Sequence, residues 1–244
     1  MGKSEEYCDL LLVMIKKFSD TQKQALREAA KIIARSMADG GMLYVFGTGH
    51  SHMIAEEFFY RAGGHARVYP ILEEALMLHN GAVKSTDIER LPGYAEAVLS
   101  RYGVKGGDVM LIASNSGRNA VPVEMAILAK ERGMTVIGLT NLEHSRRVDP
   151  RNSRGKKLYE LCSVVIDNCG VFGDAAVPIE GVGPMGATSS VIGCMAVQLL
   201  GIMTAEEMSN LGFQPEIYTS ANTDEGEALN QAILRKYEGI IKPL

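Results

Sequence analysis

The amino-acid sequence predicts an α/β fold, a parallel sheet covered by helices on both faces, with a helical extension at its N-terminus. Three observations carry this expectation. Short apolar runs at 43–46, 108–113, 135–140 and 163–167 have the length and composition of buried strands. Segments with helical periodicity separate them. Two of the strand-to-helix connections, GTGHS at 47–51 and SNSGRN at 114–119, are dense in glycine, hydroxyl and amide groups.

The elements follow in order. Residues 5–18 and 21–38 read as amphipathic helices; in the second, Leu26, Ala29, Ala30, Ile33, Ala34 and Met37 recur at helical spacing. Asp20 or Thr21 is placed to cap its start, and Gly40 and Gly41 end it. Strand 43–46 runs into a helix over 51–62, closed by Gly63 and Gly64, and 66–69 is a second strand. The stretch 71–93 has the weakest pattern, with a short helix around 74–78 and then a loop. Residues 94–102 are helical. Strand 108–113 leads to a helix over 120–132, with Pro122 in the first turn, where a missing N–H costs nothing. Strands 135–140 and 163–167 follow, then a glycine-rich passage over 170–186, a long apolar helix over 188–208 and a final helix over 224–238. These elements are expected to form one domain over 40–244, extended by the helices of 1–39.

Bulk composition narrows the class of function. The chain has 244 residues, 46% hydrophobic and 22% charged, with a net charge of −4. That balance gives no reason to expect a broad nucleic-acid surface. Cys8, Cys162, Cys169 and Cys194 form no CxxC pair and suggest free thiols in a reducing compartment. Glu5, Glu6 and Asp9 interrupt any signal-peptide pattern, and no apolar run reaches about 18 residues. The expectation is a cytoplasmic protein with no membrane partner.

In an open α/β sheet, ligands sit beyond the carboxyl ends of the strands. Gly47, Thr48 and Gly49 allow close backbone approach, and Ser51 adds a hydroxyl near a helix N-terminus with its unpaired N–H groups. Alone, such a turn is as well explained as a tight connection. A dinucleotide site wants a third glycine where His52 stands. Ser114, Asn115, Ser116 and Asn119 supply hydroxyls and amides around Gly117 at a second helix start. Two such loops on one sheet make a phosphate cradle with little basic charge. Thr188 and Ser189, with Ser190, open the long late helix; they are either plain caps or a third wall of the same site.

The order strand–GTGHS–helix, then strand–SNSGRN–helix, resembles the sugar isomerase (SIS) domain family over roughly residues 40–210. The resemblance is closest to a small bacterial SIS group in which HSHMIAEEFFYRAGG, SNSGRN and TSANTDEGEALN (219–230) are typical. It implies a flavodoxin-like parallel sheet sandwiched by helices and binding of a phosphorylated sugar; no cofactor is expected. By position, Ser51 matches the serine of the family's first loop, and Ser114, Ser116 and Asn119 match the second. SIS proteins include aldose–ketose isomerases, etherases and sugar-sensing regulators. They commonly dimerise through helices such as 5–38 and 188–208, so a homodimer or higher homo-oligomer is expected.

An isomerase or lyase needs a group that moves a proton between adjacent carbons. The candidates are Glu57 on helix 51–62, His50 in the first loop and His79 in the segment 71–93. Each has a bland alternative. Glu57 stands four residues before Arg61, the spacing of a surface ion pair, and a loop histidine commonly only hydrogen-bonds. His50 and His52 lack a third ligand, so no metal is expected. The resemblance to the heptose-phosphate isomerase branch is incomplete: Tyr60 stands where that branch has a glutamate, and helix 188–208 has Gln198 but no histidine. A likeness of 71–93 to the muramic-acid-phosphate etherase branch adds Glu73, Glu74 and Glu89 as acid/base groups. The competing expectation is a non-catalytic phosphosugar sensor or regulator, and a nucleotide-binding domain is a third.

Overall fold

A computed structural model describes residues 2–244. Two helices come first, α1 (Lys3–Thr21) and α2 (Lys23–Ala38). Five strands follow, interleaved with helices: β1 (Leu43–Gly47), α3 (Met53–Phe58), β2 (Val68–Ile71), α4 (Ala82–Glu89), α5 (Tyr94–Leu99), β3 (Val109–Ala113), α6 (Ala120–Glu131), β4 (Thr135–Thr140), α7 (Leu142–Arg147) and β5 (Val164–Asp167). A hairpin, β6 (Ala175–Ile179) and β7 (Gly183–Ala187), precedes α8 (Ser189–Asn210) and α9 (Asp224–Tyr237).

The five strands form one parallel sheet in the order β2-β1-β3-β4-β5. Strand side chains alternate between two cores, as the period of two requires. Leu43, Val45, Val109, Leu111, Ile137 and Leu139 join α1, α2, α3 and α8 on one face. Tyr44, Phe46, Met110, Ile112 and Val136 join α5, α6 and the end of α9 on the other. The expected sandwich is therefore observed. The N-terminal helices share its core: Phe18, Leu26, Ala30 and Ile33 are fully or almost fully buried. All four cysteines are free thiols. Burial raises the Cys162 thiol to about 12, against weak opposition from Lys130.

Four expectations are corrected. Helix 51–62 is a short 3₁₀ turn over Gly49–His52 followed by α3, which stops at Phe58. Phe59 is extended and Tyr60 has φ 41°. Tertiary contacts redirect the chain there: Phe59 packs into both cores, Tyr60 meets Tyr218 edge-on, and Gly63 N–H bonds the Tyr218 carbonyl at 2.8 Å. The loop expected before Pro92 contains α4, whose single buried side chain is Ser85; without an apolar stripe, no periodicity reveals it. Two short 3₁₀ turns, Glu74–Leu76 and Leu78–Asn80, replace the helix at 74–78. The glycine-rich passage holds the β6–β7 hairpin, hidden by its prolines and glycines.

No uninterrupted apolar run reaches 18 residues, yet by length and composition alone α8 is apolar enough to span a bilayer, with a window of mean hydropathy 1.4. It is a core helix here, burying Ile192, Ala196, Val197 and Leu200 against α2, α3 and the sheet. The other α8 face leaves Val191 and Ile202 exposed, as are Leu12 and Val13 on α1.

Candidate functional site

The chain leaves β1 for β2 on one side and returns to β3 on the other, so the crevice between β1 and β3 is the switch point of the sheet. Both glycine- and serine-rich loops emerge there. The cleft at this point is lined by His50 and Ser51 from the first loop, Ser114 and Asn115 from the second, Asn168 just beyond β5, and Ser189 and Ser190 at the start of α8. Its floor is apolar: Ile54, Ala113, Leu139 and the backbone of Gly193. A Cβ at Gly193 would lie 2.7 Å from Ile54 Cδ1, so glycine there lets α8 approach α3.

Hydrogen bonds hold the second loop from several sides. Ser114 Oγ accepts from Gly117 N–H at 3.2 Å. Asn115 O accepts from Asn141 N–H at 3.0 Å and from Thr140 Oγ1 at 3.1 Å. Asn168 Nδ2 donates to Asn115 Oδ1 at 2.8 Å, and Asn168 Oδ1 accepts from Gly170 N–H at 2.9 Å. Gly117 has φ 57°, which favours glycine, and its added Cβ would meet Leu158 Cβ at 3.0 Å. The loop is thus preorganised, and Ser114 keeps its hydroxyl proton for a ligand. At its end, Asn119 stands at the start of α6 without capping it through its side chain, and Asn119 Oδ1 is buried without a partner in the protein.

The first loop is built differently. A Cβ on Gly47 would lie 2.2 Å from the Ser51 carbonyl oxygen, so the turn closes only over glycine. Gly49 has φ 55° and its carbonyl contacts His52 Nδ1. Thr48 Oγ1 donates to Glu89 on α4 at 2.7 Å, which joins this loop to the segment the sequence left unread. His50 is exposed at the cleft wall.

The start of α8 is occupied internally. Asp174, at φ 71°, accepts from Thr188 N–H at 3.0 Å, Ser189 N–H at 2.8 Å, Thr188 Oγ1 at 3.0 Å and Ser189 Oγ at 2.7 Å. A carboxylate thus sits where the helix dipole would attract an anion. Thr188 is wholly buried there and does not line the cleft, while Ser189 does. Nearby, His144 stacks on Phe172 at 4.8 Å, and its Nδ1 accepts from Gly173 N–H at 3.0 Å. Burial and then Arg118 lower the His144 pKa; Asp174 opposes them.

Of the candidate acid/base groups, only His50 lines the cleft. Glu57 is ion-paired with Arg61 and accepts from Gln198 Nε2 at 2.9 Å, away from the cleft lining. His79 packs edge-on to His52 at 6.3 Å. Ser116, Asn119, Gly47, Thr48 and Gly49 flank the cleft residues without lining it. Asn168 and Asp174 escaped sequence reasoning. Asn168 follows a strand end, the position rule that found the other loops; nothing in the sequence marks Asp174.

Comparison with known proteins agrees with this architecture. The SIS domain family model matches residues 6–141, more than half of the chain and inclusive of both loops. A UPF0309 protein of Halalkalibacterium halodurans is 42% identical over 233 residues, covering 95% of this chain and 96% of that one. A UPF0309 protein of Listeria innocua is 38% identical over 232 residues, covering 95% and 94%. Among solved structures, a phosphoheptose isomerase from Francisella tularensis superposes with TM-score 0.55 at 17% identity, covering 84% of this chain and 97% of that one. The sugar isomerase domain of an RpiR transcription factor from Sphaerobacter thermophilus does so with TM-score 0.50 at 15% identity, covering 96% and 97%. These two likenesses are of fold. The chain belongs to the SIS domain family.

Proposed function

We propose that this SIS protein binds a sugar phosphate in the cleft between β1 and β3 and moves a proton on it, as an isomerase or lyase. The observation that carries the reading is the convergence of Ser51, Ser114, Asn115, Asn168, Ser189 and Ser190 around one cleft at the switch point of the sheet. Hydroxyls, amides and loop N–H groups suit a phosphate and a polyol without a resident cofactor. Since Asp174 fills the start of α8, the phosphate is assigned to the two strand loops, chiefly Ser51, Ser114 and the backbone between Ser114 and Gly117.

His50 is the base of this reading. For an aldose–ketose step, neutral imidazole would take the proton from C2 and return it to C1 through an enediol. In this reading the Asn115 amide, whose Oδ1 accepts from Asn168 Nδ2, donates from its own Nδ2 to the oxygen that gains charge. Incubation with hexose, heptose and amino-sugar phosphates, followed by NMR, should show a substrate whose turnover falls at least a hundredfold in His50→Gln while its binding persists. A bound but unconverted sugar phosphate favours the alternative, a sensor or regulator. That alternative draws support from Glu57, which is committed to Arg61 and Gln198. The exposed apolar residues Leu12, Val13, Val191 and Ile202 support a homodimer, for which sedimentation at micromolar concentration should return twice the chain mass.

A further inference from the structure

Residues 146–157, the end of α7 and the segment that follows it, carry six cations in twelve residues, Arg146, Arg147, Arg151, Arg154, Lys156 and Lys157, with Asp149 as the one acid, in a chain whose net charge is −4. That segment is laid against the second loop by backbone bonds. Arg151 N–H donates to the Arg118 carbonyl at 2.8 Å, Asn152 Nδ2 donates to the same oxygen at 2.9 Å, and Leu158 N–H donates to the Gly117 carbonyl at 2.8 Å. Arg151 also pairs with Asn119 as an isolated parallel bridge. Two arginines from separate segments are thus fixed together at the loop whose Ser114 and Asn115 line the cleft.

Among the described residues, no carboxylate lies within ion-pair distance of Arg118, Arg151 or Arg90. Arg118 Nε is buried with no acceptor, and so, on the next residue, is Asn119 Oδ1 with no donor. A buried charged donor without a partner is costly. Arg118, then burial, then Arg90 hold the Arg151 guanidinium below its ordinary value, and Glu89 opposes. An arginine pair of this kind is complementary to a carboxylate or phosphate, which guanidinium groups recognise with paired N–H donors.

We infer that Arg118 and Arg151 form a second anion subsite beside the cleft, so that the preferred ligand is a sugar phosphate bearing a further acidic group, a carboxylate or second phosphate. This rests on the sugar-phosphate reading above. One anion takes the uncharged loop donors and the other takes the arginines.

Calorimetry at fixed ionic strength tests it with two matched pairs: glucose 6-phosphate against 6-phosphogluconate, and fructose 6-phosphate against fructose 1,6-bisphosphate. Wild type should bind the doubly acidic member of at least one pair tenfold or more tighter. Arg118→Gln and Arg151→Gln should each reduce that preference while leaving the affinity for the monophosphate within about twofold. Arg151 is exposed, so its variant retains the fold even where Arg118→Gln does not. Equal binding of both members, or a preference that survives Arg151→Gln in folded protein, overturns the second subsite and leaves the sugar-phosphate reading standing. No binding of any of the four to wild type overturns that reading, and this inference with it.

Discussion

The loop at 114–119 and the start of α8 at 188–190 are read alike from sequence, as hydroxyl-rich helix starts suited to an anion, yet the fold uses them in opposite ways. At α8 the protein supplies its own anion: Asp174 satisfies two backbone N–H groups and two hydroxyls. At 114–119, among the described residues, no side-chain carboxylate bonds the loop, and the loop ends on an arginine and an asparagine with buried unpartnered atoms. The same local chemistry thus closes one site and leaves the other open. What separates them is Asp174, immediately before β6, whose carboxylate reaches the start of α8.

The comparison breaks most visibly at Asp174. Asp174→Ala should cost about 2–4 kcal/mol in urea unfolding, because four donors lose a charged acceptor at once. Asp174→Asn, which tolerates φ 71°, should cost less. Sulfate should then raise the melting temperature of Asp174→Ala more than that of wild type, since the emptied helix start becomes an anion site. A loss under about 0.5 kcal/mol would show that the carboxylate is not what holds this start.

A smaller effect is expected in the open loop. Gly117→Ala combines a positive φ with a 3.0 Å approach to Leu158 Cβ, and should cost about 1–3 kcal/mol together with a weakened ligand affinity. Gly49→Ala meets the same kind of backbone strain with open space around its Cβ and should cost less. Equal losses in a denaturant titration would mean that packing on Leu158 does not fix the loop.

The smallest effect reads both regions through His144, which is coupled to Arg118 on one side and Asp174 on the other. Its folded pKa lies below the ordinary value of 6.5, owing first to burial and then to Arg118. The sign is that of a depressed group: its contribution to stability is complete above 6.5 and is lost as pH falls from there through the folded value. An NMR titration should place the His144 pKa higher in Arg118→Gln and lower in Asp174→Asn. No movement in either variant would separate His144 from both regions.

Local physics made much of this legible. The apolar runs of β1, β3, β4 and β5 are recognisable because each is short, contiguous and bounded by turn residues, and the helical spacing in α2 needs no partner to be seen. The two cleft loops are recognisable because positive-φ turns after a strand require glycine, and hydroxyls cluster where helix N–H groups are unpaired. By contrast α4 has no apolar stripe, and the β6–β7 hairpin hides behind prolines and glycines. The early stop of α3 at Phe58 follows from contacts with Tyr218, far along the chain.

By itself, then, the sequence determined the sheet-and-helix pattern, the two loops Gly47–Ser51 and Ser114–Asn119, and the family, since each is written in residues close together in the chain. Tertiary structure alone decided which groups meet. It set Asn168 against Asn115, put Asp174 on α8 in the position offered to a ligand, drew Glu57 to Arg61 and Gln198, and left Arg118 beside Arg151 without a carboxylate. The reason is physical: a carboxylate or guanidinium has no local pattern that names its partner, and charge neutralisation is settled only when distant segments pack.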